Sequence, residues 1–397
     1  MINYKIFVSS FVAIFITVAC SSVKNDFQPD AGCPPPLFEL GYPYKVLKDS
    51  ANEPTLMPLS EIWKPQLSEE ERTSPEFHRV YSIVARNDDE IWTVDQENLI
   101  RYTPTTHEIK YYTIENNLGS VILPDVLFVS TDSTLWALGS RYVSGEAVTG
   151  LHLSRLNDES DQFEIIADRD DIFSQSVGRG LYDQIVEDQD GILWMIYGKS
   201  LFRYDPNMNQ AKLVVGEQQG INLQHSLVIA PDGELWFTGL LANAINDKNR
   251  VARLHIFRYD PLTEETRDYF TLPNLQYSRL SQLFFDHLGR LWVDDYGWLE
   301  IPEEGNGQWH EIIRSPIFIS YLPESDFSYA WVHPSPKLET ADNQIWFPFG
   351  IGLAKLDLKT NQWCLLSTLP IFDIAQDNNN TLWVAAEGQI YKYDPEN

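Results

Sequence analysis

The sequence predicts an all-β fold built from one repeated unit, and three observations support this prediction. A Leu-Trp or Ile-Trp pair recurs seven times, and consecutive tryptophans of these pairs are 44, 58, 42, 56, 54 and 37 residues apart. A short apolar run precedes six of the pairs by about eight residues, with a turn rich in Asp, Asn and Gly between them, as in two paired strands. Aromatic residues, which strands favour, make up 13% of the chain. The seven residues are Trp92, Trp136, Trp194, Trp236, Trp292, Trp346 and Trp383.

Each unit is expected to contain four strands. The first strands are YSIVA (81–85), DVLFVS (125–130), QIVED (184–188), SLVIA (226–230), QLFFD (282–286) and FDIAQ (372–376), and the second strands carry the Trp pairs. The third strands are LIRYTP, LHLSRL, LFRYDP, IFRYDP, WLEIP, LAKLDL and IYKYDP, several of which end at a Pro that cannot donate to a strand ladder. The fourth strands are EIKYYTI, QFEIIA, AKLVV, TRDYFTL, QWHEII and QWCLL.

Seven four-stranded units of roughly 40–55 residues predict a seven-bladed β-propeller. A Trp on every second strand is then expected to pack between adjacent blades, where its burial stabilises the ring. The sixth unit aligns poorly, because residues 331–344 read as a longer loop before its Trp.

The seventh unit has no fourth strand of its own, since QIYKYDPEN (389–397) ends the sequence. An unpaired edge would remain unless another segment covers it. We expect part of the N-terminal segment 37–63, around Thr55–Trp63, to complete this blade and close the ring. This closure brings Cys33 towards Cys364, so a disulfide between them is a hypothesis, with two unrelated thiols as the alternative.

The N-terminus has the pattern of an export signal. Ile6–Val18 is an apolar run of 13 residues, too short to span a membrane as a helix, and it ends in a small residue before Cys20. Residues 17–20 resemble the lipobox of bacterial lipoproteins, which implies lipidation of Cys20 after removal of residues 1–19. Plain secretion and an uncleaved anchor are the alternatives. The expected organisation is a signal peptide (1–19), a lipidated tether (20–36) and a propeller (37–397), exported and held at a membrane through its lipid.

The charge of the chain restricts its partners. It contains 57 acidic and 29 basic residues, for a net charge of −28. Such a surface repels phosphate backbones, so a nucleic-acid partner is excluded. Solubility alone accounts for the charge, and attraction of cations or cationic ligands is the alternative.

Two family resemblances add to this interpretation. DQDGILWMIYGKSLFRYDP (188–206) resembles the repeat of the two-component regulator propellers, which are often the extracellular sensor halves of membrane kinases. Here no membrane-spanning or kinase segment follows the propeller, so we expect no signalling through a cytoplasmic domain of its own. HSLVIAPDGELWFTG (225–239) is similar to the repeat of the streptogramin lyase propellers, which use His and Glu with magnesium. His225 matches that motif, but Gly239 stands where its Glu would be.

The predicted site lies where the first strands begin, beside the central channel. Counting back eleven residues from each aligned Trp, taking Asp373 as the neighbour of Phe372, and adding the neighbouring loops between second and third strands gives a polar and rather acidic set. Long loops at 140–150 and 240–252 are expected on the same face. The predicted site residues are Tyr81, Asp125, Asp183, His225, Ser281, Asp295, Tyr296, Asp373 and Glu387.

Two functions follow from this set. The first is a lipid-anchored, extracytoplasmic binding or sensor module that recognises a peptide, glycan or partner protein on the channel face and needs no cofactor. The second is a propeller enzyme of lyase or hydrolase type, with His225 as its catalytic residue. Asp125 and Asp183 could simply accept backbone hydrogen bonds, or could hold calcium or magnesium together with Asp373, because these ions prefer oxygen ligands.

Overall fold

A computed structural model gives the fold of the described part of the chain. The predicted closing strand around Thr55–Trp63, Cys20 and Cys33 lie outside it. The described residues are 82–94, 99–112, 124–143, 146–168, 184–197, 199–241, 253–276, 282–294, 297–302, 307–311, 337–349, 352–360, 362–367, 371–386 and 389–393.

The described residues form seven antiparallel sheets, here called blades A to G, in which strands pair in chain order. Blade A contains β1 (Ser82–Asn87), β2 (Glu90–Val94), β3 (Leu99–Thr103) and β4 (Glu108–Tyr112). Blade B contains β5 (Pro124–Val129), β6 (Leu135–Val143), β7 (Glu146–Asn157) and β8 (Gln162–Asp168). Blade C contains β9 (Gln184–Glu187), β10 (Leu193–Tyr197), β11 (Ser200–Asp205) and β12 (Gln210–Val215).

The second half of the chain repeats this arrangement. Blade D contains β13 (Ile221–Ile229), β14 (Leu235–Leu241), β15 (Arg253–Asp260) and β16 (Glu265–Gln276). Blade E contains β17 (Leu283–Phe285), β18 (Leu291–Val293), β19 (Gly297–Glu300) and β20 (Gln308–Glu311). Blade F contains β21 (Leu338–Thr340), β22 (Gln344–Phe349), β23 (Gly352–Asp357) and β24 (Gln362–Ser367). Blade G contributes β25 (Ile371–Gln376), β26 (Leu382–Ala386) and β27 (Gln389–Tyr393).

The blades form a closed ring, which confirms the predicted seven-bladed propeller. Seven hydrophobic clusters each join two consecutive blades, and one of them joins blade G back to blade A. Each cluster contains one of the seven repeat tryptophans, all of which are 0–3% exposed. Burying a large aromatic side chain typically contributes about 2–3 kcal/mol, so these residues hold the ring together.

The Arg-Tyr-Asp stretch of the third strand has a structural role. Its Tyr packs against the Trp of the preceding blade, with ring centroids 6.0 Å apart for Trp136 and Tyr204 and 5.7 Å apart for Trp194 and Tyr259. The cation before the Tyr lies over the Trp of its own blade, as Arg258 does at 5.5 Å from the Trp236 ring. Such contacts contribute about 0.5–1 kcal/mol at exposed sites.

The turn before each Trp strand is a second repeated device. In blade C the Asp188 carboxylate accepts the Trp194 indole N–H at 2.7 Å, and its other oxygen accepts the backbone N–H groups of Asp190 and Ile192. Gly191, three residues before the Trp, adopts φ +75°, a left-handed conformation that glycine adopts without steric cost. The acceptor six residues before the Trp is Ser130, Asp188, Asp286, Thr340 or Asp377 in five blades.

Two loop predictions were wrong. The segment 331–344 was interpreted as a long loop, but its residues Leu338–Thr340 form β21, and Thr340 accepts the Trp346 indole N–H at the usual spacing. Blade F therefore follows the repeat, with Thr in place of Asp. The segment 140–150 was also predicted as a loop, but most of it extends the β6–β7 hairpin, where Val143 pairs with Glu146. Within the described residues no helix has the length and apolar character needed to cross a membrane.

Candidate functional site

The two edges of the ring differ in what they contain. Because strands alternate in direction, each first strand begins, and each second strand connects to the third, at one edge, here called the upper face. The turns between first and second strands and between third and fourth strands lie at the other edge, here called the lower face. The predicted site residues belong to the upper face.

The first strands are irregular at the upper face. Register shifts occur between Pro124 and Val126 in β5, between Leu223 and Leu227 in β13, and between Ile371 and Asp373 in β25. The predicted residues Asp125 and His225 fall inside two of these bulges. A bulge re-aims the side chains that it contains, so the upper end of the first strand departs from simple alternation.

Few of the predicted site residues can be placed in full. Asp373 is described completely, whereas the structure describes only the backbone of Asp125 and His225. The other predicted residues lie outside the described residues: Tyr81, Asp183, Ser281, Asp295, Tyr296 and Glu387.

Asp373 joins blade G to blade A. It is 5% exposed, and its Oδ2 accepts the Ile83 backbone N–H at 3.0 Å, while Oδ1 accepts the Ile374 N–H at 2.9 Å and lies 3.0 Å from Lys337 Nζ. Both oxygens are thus engaged by protein donors. Asp373 thus makes the kind of backbone hydrogen bond that the sequence offers for Asp125 and Asp183 as the alternative to metal binding.

The same link recurs at two other joints. Gln184 Oε1 accepts the Leu227 N–H at 2.7 Å, and Ser226 Oγ accepts the Leu283 N–H at 2.6 Å. Like Asp373, these acceptors stand ten residues before the Trp of their blade, and each reaches the first strand of the next blade. The predicted site position lies eleven residues before each Trp, and the next residue along the chain, ten before the Trp, joins neighbouring first strands at these three joints.

Asp294 lies next to the predicted residues Asp295 and Tyr296. It is 1% exposed and adopts φ +45°, and its Oδ1 accepts the Gln282 N–H at 2.7 Å. A non-glycine residue in this conformation is uncommon, although Asp tolerates it better than most. The carboxylate thus fixes the upper end of blade E.

The space that a lyase-type Glu would need in blade D is filled. A Cβ atom at Gly239 would lie 2.9 Å from Phe257 Cε2 and 3.1 Å from Ile221 Cγ2. Both neighbours are buried, so a longer side chain at this position would require the Phe257 ring to move. Among the described residues, no group of three or more His, Cys, Asp or Glu side chains is arranged to hold a metal ion.

One polar pair on blade D was missed by the sequence analysis. His255 Nδ1 lies 2.9 Å from Asp268 Oδ2 and 3.1 Å from Asp268 Oδ1, and the His255 ring stacks on Phe257 with centroids 5.9 Å apart. His255 pairs with Gly239 across β14 and β15, near the upper face. The two residues are on different strands and 13 positions apart, so no spacing rule points to the pair.

The lower face joins blades through charge. Arg86 of blade A donates to Asp158 of blade B at 2.6 Å and to the Ser133 carbonyl at 2.6 Å. The hydrogen bond from Arg86 lowers the pKa of Asp158. Other charged contacts across joints link Lys212 to Glu264 at 2.7 Å and the His287 backbone N–H to Glu339 at 2.7 Å.

Comparisons with known proteins agree with this fold. Streptogramin B lyase is similar over 81% of this chain and 94% of its own, with 15% identity and a TM-score of 0.52. The extracellular domain of a protein assigned as the hybrid two component system BT4673 of B. thetaiotaomicron matches over 79% of this chain, with 17% identity and a TM-score of 0.52. The corresponding domain of BT3049 matches over 79%, with 13% identity and a TM-score of 0.52.

These likenesses concern the fold, which is the one that the sequence resemblances implied. The chain spans 40% of the length of each two-component structure. No family profile and no curated protein matches the sequence.

Proposed function

We propose that the protein is an exported, membrane-anchored binding module of the sensor type, which holds a peptide, glycan or partner protein on its upper face. Cys20 would carry the lipid anchor. The observation that carries the proposal is the unequal length of the blades at this face. Longer hairpins on a rigid ring are the usual place for binding residues.

The extension is largest in blade B. There β6 ends at Val143, seven residues past Trp136, whereas β10 of blade C ends at Tyr197, three residues past Trp194. Four more residues at about 3.3 Å each add about 13 Å to the hairpin. Blade D is extended as well, with β16 running over 12 residues. The two blades lie on either side of blade C, so their extensions would flank a ligand above it.

The similar extracellular domains of two-component systems support a sensing role by analogy of fold alone. The occupied space beside Gly239 counts against lyase chemistry at blade D. A binding surface needs neither a base nor a metal, and it accommodates the acidic positions Asp125, Asp183, Asp295 and Glu387.

The hairpin of blade B gives the test. Residues 140–151 would be replaced by Gly-Lys, the turn of blade C at 198–199, which keeps the pairing of Gly139 with His152. Glycan and peptide arrays probed with the purified full-length protein should lose their signal with this variant, while the thermal midpoint stays close to that of the wild type. Leu262→Ser, at a 95% exposed position of the lower face, is the matched control and should keep binding. Undiminished binding by the shortened variant would refute the role of the blade B hairpin, and the absence of any array signal with the wild-type protein would refute the binding function.

A further inference from the structure

The upper end of blade D holds an oriented imidazole. Nδ1 of His255 lies 2.9 Å from the Asp268 carboxylate and 3.3 Å from Thr271 Oγ1, so in the neutral ring the carboxylate favours the tautomer with the proton on Nδ1 and the lone pair on Nε2. Nε2 makes no hydrogen bond with any residue that the structure describes, and it is not among the buried polar atoms without a partner. The ring is fixed from below by Phe257, which is 1% exposed. A ligand therefore meets a hydrogen-bond acceptor held in one orientation.

Arg253 lies on the same side of β15 as His255. The register between β15 and β16 shifts at Arg253–His255, but the extra residues lie in β16, where Gln276 to Thr271 spans five positions against two in β15. Within β15, Leu254 and Ile256 face blade E and Phe257 faces blade C, so Arg253 and His255 lie on the blade C side. Arg253 is exposed and forms no ion pair within the described chain. Its counterparts are paired with carboxylates: Arg86, Arg101, Arg155, Arg203, Arg258, Arg267 and Arg290. A guanidinium without a carboxylate partner among the described residues is therefore an exception, in a chain whose net charge is −28.

A second cation approaches from blade C. Lys199 lies in the β10–β11 turn, and its carbonyl oxygen accepts the Leu223 backbone N–H at 3.2 Å. Its exposed side chain has no ion-pair partner in the described part of the chain. Lys199, Arg253 and His255 are here called the blade D cluster.

The register of the sheet sets the width of the cluster. Leu223 pairs with Gly239, and Gly239 pairs with His255, so Leu223 and His255 are separated by about 10 Å, or two strand spacings. Lys199 lies one hydrogen bond further out, beyond Leu223. Gly239 has no side chain to project between them, and the Phe257 ring lies against its Cα. The long side chains of Lys199 and Arg253 can therefore reach over a flat, apolar floor.

We propose that the blade D cluster binds a carboxylate that carries a hydroxyl group close by. This inference rests on the proposed function and names the ligand chemistry for one part of the same face. A guanidinium recognises a carboxylate through two parallel hydrogen bonds, and the ammonium group adds charge. The neutral imidazole accepts a hydrogen bond from the hydroxyl. Asp268 is a positioning residue, because its carboxylate is occupied by His255. Acidic sugars and small hydroxy acids share this chemistry.

The experiment measures binding to the full-length protein by calorimetry and ligand-observed NMR. The probes are glucuronate, lactate, acetate as a carboxylate without hydroxyl, and glucose as a sugar without charge. Glucuronate should bind more tightly than either single-feature probe, and lactate decides between an acidic sugar and a small hydroxy acid. Loss of the charged hydrogen bonds in Arg253→Gln should weaken binding by roughly 10- to 100-fold.

Three further variants separate recognition from folding. His255→Phe keeps the stacking on Phe257 and removes Nε2, so binding should fall by about tenfold with little change in thermal midpoint. Asp268→Asn should weaken binding less, and should shift the His255 nitrogen resonances towards the other tautomer, which a purely structural role would not do. Arg267→Gln, an exposed and ion-paired arginine of β16, should change nothing.

The outcomes distinguish the two proposals. Failure of both glucuronate and lactate to bind at millimolar concentration overturns the inference, as does binding that Arg253→Gln leaves intact. If arrays show an uncharged glycan or peptide that depends on the blade B hairpin, the proposed function stands without the cluster. If the hairpin is dispensable for every ligand, the placement of the ligand beside the blade B hairpin fails. If neither the arrays nor the probes show any binding, the proposed function fails and the inference fails with it.

Discussion

Blades D and E are neighbours built on the same repeat, and they use it differently. Blade E has strands of three or four residues, and every oxygen of its turn Asp286 is occupied. Blade D has strands of seven to twelve residues, with Ala230 where blade E has Asp286. As a result the Trp236 indole N–H is buried without a hydrogen-bond partner among the described residues.

The difference between blades D and E shows which of the two uses its residues mainly for packing. Blade E keeps the turn acceptor and the shortest strands, so it is close to a minimal unit of the ring. Blade D lacks the acceptor and carries the additional strand length on which His255 and Arg253 lie. Local rules of a fold are expected to fail where a site is built, and blade D fits that expectation.

The largest effect should come from the tryptophans. Trp292→Ala is expected to cost about 3–5 kcal/mol of unfolding free energy, because it leaves a cavity at the joint between blades E and F. Trp236→Ala should cost less, since the wild-type indole N–H is already without a partner. Urea unfolding of both variants measures the difference, and an equal or larger cost for Trp236 would break the comparison.

Blades D and E contain no disulfide, but the neighbouring blade F contains a disulfide-bonded cysteine. Neither blade D nor blade E contains cysteine, whereas Cys364 on β24 of blade F is disulfide-bonded to a residue outside the described chain. We propose Cys33 as the partner, since Cys20 would carry the lipid. Cys364→Ser should then lower the unfolding free energy by about 2–4 kcal/mol. Peptide mapping without reductant should recover the Cys33–Cys364 pair, and recovery of free Cys33 would contradict the assignment.

The turn acceptor of blade E should be the next most costly to remove. Asp286 accepts hydrogen bonds from the Leu288 and Arg290 backbone N–H groups, the Arg290 side chain and the Trp292 indole. Asp286→Ala leaves several of these donors buried without a partner, at an expected cost of about 2–3 kcal/mol. Asp232→Ala in blade D is the control, and with one backbone bond and an exposed ion pair to Arg258 to lose it should cost less than about 1 kcal/mol. Similar values for the two variants would show that the turns are equivalent.

At alkaline pH, ionisation of Tyr259 should destabilise blade D in a way that has no counterpart in blade E. Burial raises the pKa of Tyr259 to about 12, and blade E has Leu299 at the equivalent position. Because the folded-state pKa lies above the unfolded value near 10, this contribution is complete below about pH 10 and is lost as pH rises towards 12. Unfolding free energy should fall by up to about 2 kcal/mol over that interval. Tyr259→Phe should remove this part of the decline, and an unchanged slope would place its source elsewhere.

The smallest expected effect is a gain. Ala230→Ser would supply the acceptor that Ser130 provides to Trp136 in blade B, at 3.2 Å. The Trp236 indole N–H would then be satisfied, and unfolding free energy should rise by about 1 kcal/mol. Thermal and urea unfolding measure this, with Ala137→Ser, at a buried position away from the turns, as a substitution expected to destabilise. A loss of stability in Ala230→Ser would show that the turn of blade D cannot adopt the geometry of the others.

Sequence reasoning located the ring and its Trp residues because both depend on short-range pattern. A Trp two residues into a strand after an Asp-rich turn repeats regardless of the tertiary surroundings. Blade F was misinterpreted because LET (338–340) is short and weakly apolar, and because Thr340 replaces the Asp that marked other turns. The segment 140–150 of the β6–β7 hairpin has the composition of a loop, because Ser, Gly and Val are mixed there without a clear apolar face.

The site was predicted less well, for a geometric reason. Counting back eleven residues from the Trp assumes a regular first strand, and the bulges in β5, β13 and β25 break that regularity at the upper face. Asp373 was selected only as a neighbour of Phe372, yet its carboxylate is the group that reaches the next blade. His255 and Asp268 meet across a register shift between β15 and β16, which no single-strand pattern contains.

The segment that runs from ten residues before each Trp to the Trp itself contains the groups that join the blades, and this limits where insertions can occur without disturbing the ring. The spacing between tryptophans varies from 37 to 58 residues, yet in the five blades that have the turn acceptor it stands six residues before the Trp, so there the variation falls outside that segment. Insertions at the upper face therefore leave the joints between blades untouched. Evolution or protein design can therefore change the binding specificity of one blade by exchanging its upper-face hairpin, while the contacts that hold neighbouring blades together stay the same.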